Sequence, residues 1–180
     1  LLGNTTIGKD CLIGPNTYIM DGTVGNGVTL DNVKLTDSTV EDGADAGPFV
    51  QIRGGSVLHT GVHIGDFVEV KNSTVGAGTK SAHLTYIGDS DVGAGVNFGC
   101  GTVTVNYDGK NKRRCKIGDG AFIGCNTNLV APVEVGDRAY IAAGSTITDD
   151  IPGDALSIAR ARQVNKPGWV TKKKPYKEKK

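Results

Sequence analysis

Aromatic side chains, methionine and histidine are scarce in this sequence. Of its 180 residues only 6 % are aromatic, one is methionine and three are histidine. Glycine is abundant instead, with 27 residues, about twice the roughly 7 % of ordinary proteins. Because glycine in a helix interior costs roughly 1 kcal/mol relative to alanine, this composition argues against a helical bundle. Glycine does not recur at every third position, which excludes a collagen triple helix.

The sequence also lacks a charge imbalance, a long apolar run and a cysteine framework. Twenty basic and nineteen acidic residues give a net charge of +1, which argues against nucleic-acid binding by the body of the protein. The apolar runs are too short to cross a bilayer, and no secretory signal is visible at the start. The four cysteines form no CxxC pair, so we expect reduced thiols in a cytoplasmic protein.

A six-residue repeat runs along most of the chain. An apolar residue followed by glycine or alanine recurs at Ile7-Gly8, Ile13-Gly14, Ile64-Gly65, Val75-Gly76, Ile87-Gly88, Val92-Gly93, Phe98-Gly99, Ile117-Gly118, Ile123-Gly124, Val135-Gly136 and Ile141-Ala142. A fixed short period of this kind indicates a solenoid in which each unit is one strand and one turn. Three such units close one triangular coil.

The repeat therefore predicts an all-β fold, a left-handed parallel β-helix of roughly eight coils stacked on one another. The aliphatic residues form an inward ladder, and glycine relieves the corner, where a side chain or a negative φ is unfavourable. An ordinary β-sandwich is the alternative. Its strands would be spaced about 8–12 residues apart, without a fixed phase of small residues.

The rhythm fails in two regions. Residues 105–116 are polar and fit no strand, so we predict one exserted loop, a usual location for recognition. The pattern ends after Asp149, and we predict a β-helix domain over residues 1–154 and a C-terminal extension over 155–180. Its basic tail, from Lys172 onward, is expected to be solvated rather than to bind a polyanion. The chain begins inside a repeat, so we expect it to be a fragment of a longer protein.

The three histidines are candidates for chemistry. A zinc site shared between subunits, as in gamma-type carbonic anhydrases, needs three convergent ligands, yet His59 and His63 have no third histidine at a compact spacing. We expect no metal site and interpret both as exposed corner residues. His83 differs, because residues 79–86 carry polar groups where the corner usually has glycine.

Cations and amides flank His83 at spacings of about one coil or its multiples: Arg53, Lys71, Asn97 and Lys112. A neutral imidazole among cations can accept a proton near neutral pH. The cations can hold a phosphate. The alternative is that Arg53 and Lys71 are solvated turn residues.

Several motifs match one family together. They are Gly47–Arg53, His63–Lys71, His83-Leu84-Thr85-Tyr86, Asn97-Phe98-Gly99, Asn106–Lys112 and Ala142-Ala143-Gly144. With these segments the chain, from about residue 1 to 169, resembles the acetyltransferase domain of the bacterial bifunctional N-acetylglucosamine-1-phosphate uridyltransferase / glucosamine-1-phosphate N-acetyltransferase. The His-Leu-Thr-Tyr and Asn-Tyr-Asp-Gly elements are the specific ones.

The resemblance implies acetyl transfer from acetyl-coenzyme A to the amine of glucosamine-1-phosphate, which serves UDP-N-acetylglucosamine and cell-wall precursor synthesis. It also implies a homotrimer with the cofactor in the groove between the β-helices of adjacent subunits. The uridyltransferase domain of that family, with its magnesium, has no counterpart in these 180 residues. No metal, membrane or nucleic-acid partner is implied for this fragment.

The resemblance also implies residue roles. His83 matches the general base, which takes a proton as the amine attacks the thioester directly, without an acetyl-enzyme. The positions matching substrate contacts are Arg53, Lys71, Tyr86, Asn97 and Lys112, together with Glu69, which matches a residue that orients the base or the amine. The positions matching cofactor contacts are Cys100, Asn106, Tyr107, Cys125, Ala143 and Arg160.

Two other functions remain open from the residues alone. One is acyl transfer from coenzyme A to serine or to another sugar, although the cations favour a phosphorylated acceptor. The other is a structural or ice-binding β-helix without chemistry. Ice-binding faces need flat threonine ladders, whereas threonine here is scattered among Asp, Lys and Arg.

Overall fold

The computed structural model describes residues 1–175, and their regular structure is almost entirely β-strand. The short strands are, in chain order, β1 (Thr6–Ile7), β2 (Leu12–Ile13), β3 (Tyr18–Met20), β4 (Thr23–Val24), β5 (Thr29–Leu30), β6 (Val33–Thr36), β7 (Thr39–Val40), β8 (Asp45–Ala46), β9 (Val50–Arg53), β10 (Val57–Leu58), β11 (His63–Asp66), β12 (Glu69–Lys71), β13 (Thr74–Val75), β14 (Lys80–His83), β15 (Tyr86–Gly88), β16 (Ser90–Val92), β17 (Asn97–Phe98), β18 (Val103–Val105), β19 (Cys115–Ile117), β20 (Phe122–Ile123), β21 (Asn128–Val130), β22 (Val133–Val135), β23 (Tyr140–Ile141), β24 (Thr146–Ile147) and β25 (Leu156–Ser157). A short helix, α1 (Trp169–Lys173), follows. The end of the predicted basic tail, from 176 onward, lies outside the described residues. Within residues 1–175 no helix is long and apolar enough to span a bilayer.

Every third strand belongs to the same sheet, so the chain winds around a three-sided prism. The first face contains β1-β4-β7-β10-β13-β16-β19-β22, the second β2-β5-β8-β11-β14-β17-β20-β23-β25, and the third β3-β6-β9-β12-β15-β18-β21-β24. Neighbouring strands pair in parallel. Strands β1 to β24 make eight coils, so the predicted parallel β-helix of hexapeptide repeats is confirmed. Strand β25 extends the second face beyond residue 154.

The register shows where the extra residues of the loop go. Thr6 pairs with Thr23 and Thr23 with Thr39, so these consecutive coils are nearly equal in length. The coil between β16 and β19 is clearly longer, since Asp91 pairs with Lys116. The additional residues form the predicted exserted loop, which we call the excursion and define as residues 106–114. It lies wholly outside the strands and is shorter than the predicted span of 105–116, because Val105 belongs to β18 and Cys115 and Lys116 belong to β19.

The interior is a ladder of aliphatic side chains. On the third face the buried inward positions are Ile19, Leu35, Ile52, Val70, Ile87, Leu129 and Ile147, with the buried Thr104 taking the place of an aliphatic residue between Ile87 and Leu129. Beside this ladder runs a column of buried serines, in which the backbone N–H of Ser73 donates to the Ser56 hydroxyl at 3.3 Å and that of Ser90 to the Ser73 hydroxyl at 2.9 Å. These hydroxyls satisfy backbone donors that would otherwise be buried without a partner.

Steric contact with the next coil explains why glycine follows an inward aliphatic residue such as Ile64. A Cβ on Gly65 would collide with the Ala82 backbone, and Gly65 itself is outside the left-handed region. The positive φ occurs two residues later, at Phe67, where φ is 58°. Of the two reasons expected for the corner glycine, the side-chain reason is therefore right and the φ reason is wrong at this position.

Candidate active site

The excursion is a braced loop beside the corner between the third and first faces. Tyr107 and Lys112 form an antiparallel bridge across its neck. Inside the loop the Asp108 carboxylate accepts hydrogen bonds from the N–H groups of Lys110 at 2.8 Å and Asn111 at 2.6 Å. The loop is therefore held in one shape by its own backbone and by one aspartate.

Arg114 fixes the base of the excursion to the prism. Its guanidinium donates to both carboxylate oxygens of Asp91, at 2.5 and 3.1 Å, and to the backbone carbonyls of Asn72 and Ser90, at 3.0 and 3.1 Å. The hydrogen bond from Arg114 lowers the pKa of Asp91. A bidentate arginine–carboxylate pair adds directional specificity as well as energy, so Arg114 fixes the point where the excursion rejoins the prism.

Asp89 is the centre of a buried polar cluster at the same corner and is only 3 % exposed. Its Oδ1 accepts a hydrogen bond from the Asn72 amide and its Oδ2 one from the Asn106 amide. The Lys71 Nζ lies 3.5 Å from Oδ2. Burial raises the pKa of Asp89, but the two amide hydrogen bonds and the Lys71 charge outweigh it and lower the pKa. Asp89 is therefore an ionised carboxylate at neutral pH.

Two ammonium groups face this one carboxylate. Lys71 is held by the sheet, in register with Arg53, whereas the excursion brings Lys112 beside it. Contact with the Lys112 amine raises the pKa of Lys71, and the charge of Asp89 raises it further against the effect of burial. The same contact lowers the pKa of Lys112, and the positive charge of Arg53 lowers it further. The cluster has an excess of positive charge and suits an anion.

Arg53 is the third cation here, and we call Arg53, Lys71 and Lys112 the cation cluster, which Tyr86 borders. The Arg53 Nε donates to the Glu69 carboxylate at 2.7 Å, so Glu69 pairs with a cation and makes no hydrogen bond to His83 in the described chain. The Tyr86 hydroxyl accepts a hydrogen bond from Asn106 at 3.3 Å. Asn106, whose position matched a cofactor contact, thus uses its amide inside the cluster.

His83 and Asn97 are on the second face of the prism. His83 ends β14 and is exposed, while Asn97 begins β17, in register with Lys80. No hydrogen bond or ion pair joins either side chain to the cation cluster within residues 1–175. The fold thus unites Arg53, Lys71 and Lys112 but does not link the predicted base to them within one chain.

Four positions that match cofactor contacts occupy successive levels of the corner between the second and third faces. They are Cys100, Cys125, Ala143 and Arg160. The carbonyls of Cys100 and Cys125 each accept a backbone N–H from the next coil at 2.8 Å. The Arg160 side chain passes Gly144, with its Cδ 3.6 Å from where a Cβ would stand. The fold therefore stacks Cys100, Cys125 and Ala143 as one column, and Arg160 lies beside the Ala143 end of it.

The histidines that were expected to be exposed are half-buried instead. The Nδ1 of His59 lies 2.9 Å from Glu41 Oε1, and the Nδ1 of His63 lies 2.6 Å from Asp45 Oδ2. Each histidine is held by a carboxylate of the preceding coil, which is why it is less exposed than predicted. In the described part of the chain no group of three or more His, Cys, Asp and Glu side chains is arranged to hold a metal ion.

Sequence reasoning missed Asp89, Asn72 and Arg114. Asn72, Asp89 and Asn106 follow one another at an equal spacing of one coil length, so their stacking could have been found from the repeat. Arg114 stands in a run of three cations at 112–114. Nothing in the sequence distinguishes it from its neighbours, because its partners include two backbone carbonyls.

Two family models match the repeats of the chain. "Bacterial transferase hexapeptide (six repeats)" matches residues 114–149, and "Hexapeptide repeat of succinyl-transferase" matches residues 4–32. The prism is thus of the hexapeptide-repeat class. The fold is also similar to a solved structure from Desulfovibrio desulfuricans G20, with a TM-score of 0.54 and 14 % identity over 85 % of this chain and 50 % of that one.

Similar curated proteins make the resemblance specific. The chain is 60 % identical over 168 residues to the "Bifunctional protein GlmU" of Geobacillus sp. (strain WCH70), covering 93 % of this chain and 37 % of that protein. It is 57 % identical over 173 residues to the protein of the same name from Halalkalibacterium halodurans, covering 96 % and 38 %. The family resemblance stated from the motifs is confirmed. The chain spans less than two fifths of the length of these relatives.

We expect Arg114→Ala to loosen the excursion while the prism stays folded. The side chain holds the base of the loop by four hydrogen bonds at a half-exposed site, so its loss should cost about 1 kcal/mol of local stability and speed amide exchange several-fold. The measurement is hydrogen exchange of the Lys110 and Asn111 amides. Lys116→Ala is the matched control, because Lys116 makes a surface ion pair with Glu134 at 2.6 Å. Equal exchange in both variants would contradict the anchoring role.

Proposed function

We propose that this chain transfers the acetyl group of acetyl-coenzyme A to the amine of glucosamine-1-phosphate. The observation that supports it most is the cation cluster of Arg53, Lys71 and Lys112, because all three cations stand at positions that the family resemblance assigns to substrate contacts. The identity to the relatives named GlmU extends over nearly the whole chain. A β-helix without chemistry would not need a buried carboxylate to organise a cluster of cations.

The phosphate binds between Lys71 and Lys112. An incoming dianion stabilises both ammonium groups and opposes the lowering of the Lys112 pKa, which the contact with Lys71 and then its like charge cause. Arg53 contributes its guanidinium from one coil below. Glu69, which is on the coil of Lys71, holds this guanidinium by an ion pair. Lys71 does not need to move, because Asp89 fixes its Nζ from the buried side.

His83 acts as the general base. Its ring makes no hydrogen bond in the described chain, so a neutral imidazole presents a free lone pair to a bound amine. The amine nitrogen attacks the thioester carbonyl carbon as His83 takes one amine proton. Collapse of the tetrahedral intermediate breaks the carbon–sulfur bond, and the departing thiolate takes up a proton. No cysteine needs to carry the acetyl group.

Acetyl-coenzyme A lies along the column of Cys100, Cys125 and Ala143 and beside Arg160. Arg160 supplies a cation for its phosphates. The excursion brings Tyr107 toward the cofactor, and Asn106 beside Tyr86 joins the cofactor side of the site to the sugar side. A rigid prism holds these groups with little orientational cost.

The active form is a homotrimer. Phe49, Phe67 and Leu84 are 55 %, 56 % and 58 % exposed on successive coils of the corner beside His83. The two phenylalanine rings stack at 5.1 Å. A contiguous exposed apolar stripe of this kind marks an interaction surface. A neighbouring prism covers the stripe and places the groove that holds the cofactor beside His83.

We expect His83→Ala to lower kcat roughly 10²–10⁴-fold, the usual contribution of one acid–base group. The KM for glucosamine-1-phosphate should change little, since the phosphate is held elsewhere. The measurement is the initial rate of coenzyme A release with both substrates saturating. Wild-type turnover in this variant would rule out His83 as the base. His63→Ala, which removes a histidine of the same face outside the proposed site, is the matched control.

We expect Arg53→Ala to raise the KM for glucosamine-1-phosphate about tenfold, equivalent to about 1.4 kcal/mol, and to leave the KM for acetyl-coenzyme A unchanged. Arg113→Ala is the matched control, because it removes a nearby cation outside the cluster. Steady-state kinetics with each substrate varied in turn gives both constants. Equal use of unphosphorylated glucosamine by the wild type would overturn the phosphate assignment and favour a different acyl acceptor.

We expect the wild-type chain to sediment with the mass of three 18.7 kDa chains and Phe67→Asp to sediment as one. Aspartate tolerates the left-handed φ of this corner, so the variant removes the apolar ring without breaking the coil. Leu12→Asp, at an exposed leucine of the first coil, is the control and should stay trimeric. A wild-type chain that sediments as a monomer would contradict the trimer.

A further inference from the structure

Cys100 and Cys125 are stacked on adjacent coils, although the whole excursion separates them in the sequence. Strands β17 and β20 are in register at Phe98 and Ile123. Cys100 and Cys125 each follow these partners by two residues, so they occupy equivalent positions on the two coils. The Asn126 N–H donates to the Cys100 carbonyl at 2.8 Å, so the pairing continues through the corner. In-register residues of neighbouring parallel strands are about 4.8 Å apart and point their side chains the same way.

Cys115 differs from these two thiols in accessibility, and Cys11, which is half-buried like Cys100, differs in having no stacked partner thiol. Cys100 is half-buried and Cys125 is exposed. Cys115 is fully buried, and burial raises its pKa to about 11, which leaves it protonated and unreactive. Cys11 belongs to the first coil, and its Sγ lies 3.1 Å from the Gly25 carbonyl. Only Cys100 and Cys125 combine accessibility with a stacked partner thiol among the described cysteines.

We propose that Cys100 and Cys125 are a redox modification site that closes to an intrachain disulfide when the protein meets a low-molecular-weight disulfide. A separation of about 4.8 Å between the Cα atoms lies within the disulfide range of roughly 4.4–6.8 Å. The effect of the disulfide on cofactor binding rests on the proposed function. Because the pair lies in the column assigned to acetyl-coenzyme A, bound cofactor and closed disulfide exclude each other.

The reaction is a two-step thiol–disulfide exchange. The Cys125 thiol loses its proton, and its sulfur attacks the external disulfide, breaking that S–S bond and releasing one thiol. The Cys100 thiol then loses its proton and attacks the Cys125 sulfur, which forms the intrachain bond and releases the second thiol. Two protein thiols are oxidised and one external disulfide is reduced to two thiols.

The closed disulfide would also join the two ends of the longest coil. That coil carries the excursion, and with it Asn106, Tyr107 and Lys112. Linking Cys100 to Cys125 therefore constrains the segment that contributes to both halves of the proposed site. The effect is specific to this coil, because the other coils have no accessible cysteine at this corner in the described chain.

The test is to incubate the folded chain with excess oxidised glutathione and to analyse its peptides without reduction. We expect a linked peptide pair containing Cys100 and Cys125, lighter by two hydrogens, and reversal by a reductant. Cys125→Ser should leave only a mixed disulfide at Cys100, whereas the control Cys11→Ser should still form the link. Retention of both thiols in the wild type, or links between chains only, would overturn the proposal.

A parallel incubation with acetyl-coenzyme A at about ten times its Kd separates the two proposals. We expect disulfide formation to slow about tenfold, because only about a tenth of the sites remain free. A linked pair that forms equally fast with the cofactor present supports the redox pair and contradicts the proposed cofactor site. If the chain binds acetyl-coenzyme A but forms no linked pair when the cofactor is left out, the result contradicts the redox pair and supports the cofactor site.

Discussion

Parallel pairing between successive coils is the constraint on which the rest of the structure depends. Each coil must place its strands about 4.8 Å above the previous ones, so a residue stacks on the residue one coil length away. This pairing aligns Arg53 with Lys71 and lets the amides of Asn72 and Asn106 meet at Asp89. Binding groups that are distant in the sequence become neighbours without any loop having to fold over them.

The buried carboxylate of Asp89 makes a cation cluster compatible with a folded prism. Moving Lys71 out of water has a desolvation cost that one ion pair offsets only when further hydrogen bonds complete the geometry. Asn72 and Asn106 provide these bonds, and they keep Asp89 ionised despite its burial. One carboxylate against two ammonium groups leaves a positive excess on the outer side. The contacts that stabilise this corner therefore also leave the positive charge that can bind an anion.

The repeat made the architecture predictable, whereas the site was predictable only in part. Spacing alone indicates a three-sided coil and an inward ladder, because the same steric rule recurs at Gly65 and its equivalents. Asp89 was missed since Ile87-Gly88-Asp89 reads as an ordinary corner, and its role depends on neighbours one coil away. His59 and His63 were expected to be exposed because sequence does not show that a carboxylate stands one coil below each.

The excursion shows how such a prism accepts an inserted binding segment. The step across it is the same on all three faces, at Asp91 with Lys116, Asn97 with Phe122 and Val103 with Asn128. The coil after the loop thus resumes the register that an uninterrupted coil would have. The inserted residues need no space in the core, and their position is set by contacts at the base such as those of Arg114. Because this shared step also stacks Cys100 on Cys125, the insertion that brings Lys112 to the cation cluster also determines which cysteines become neighbours.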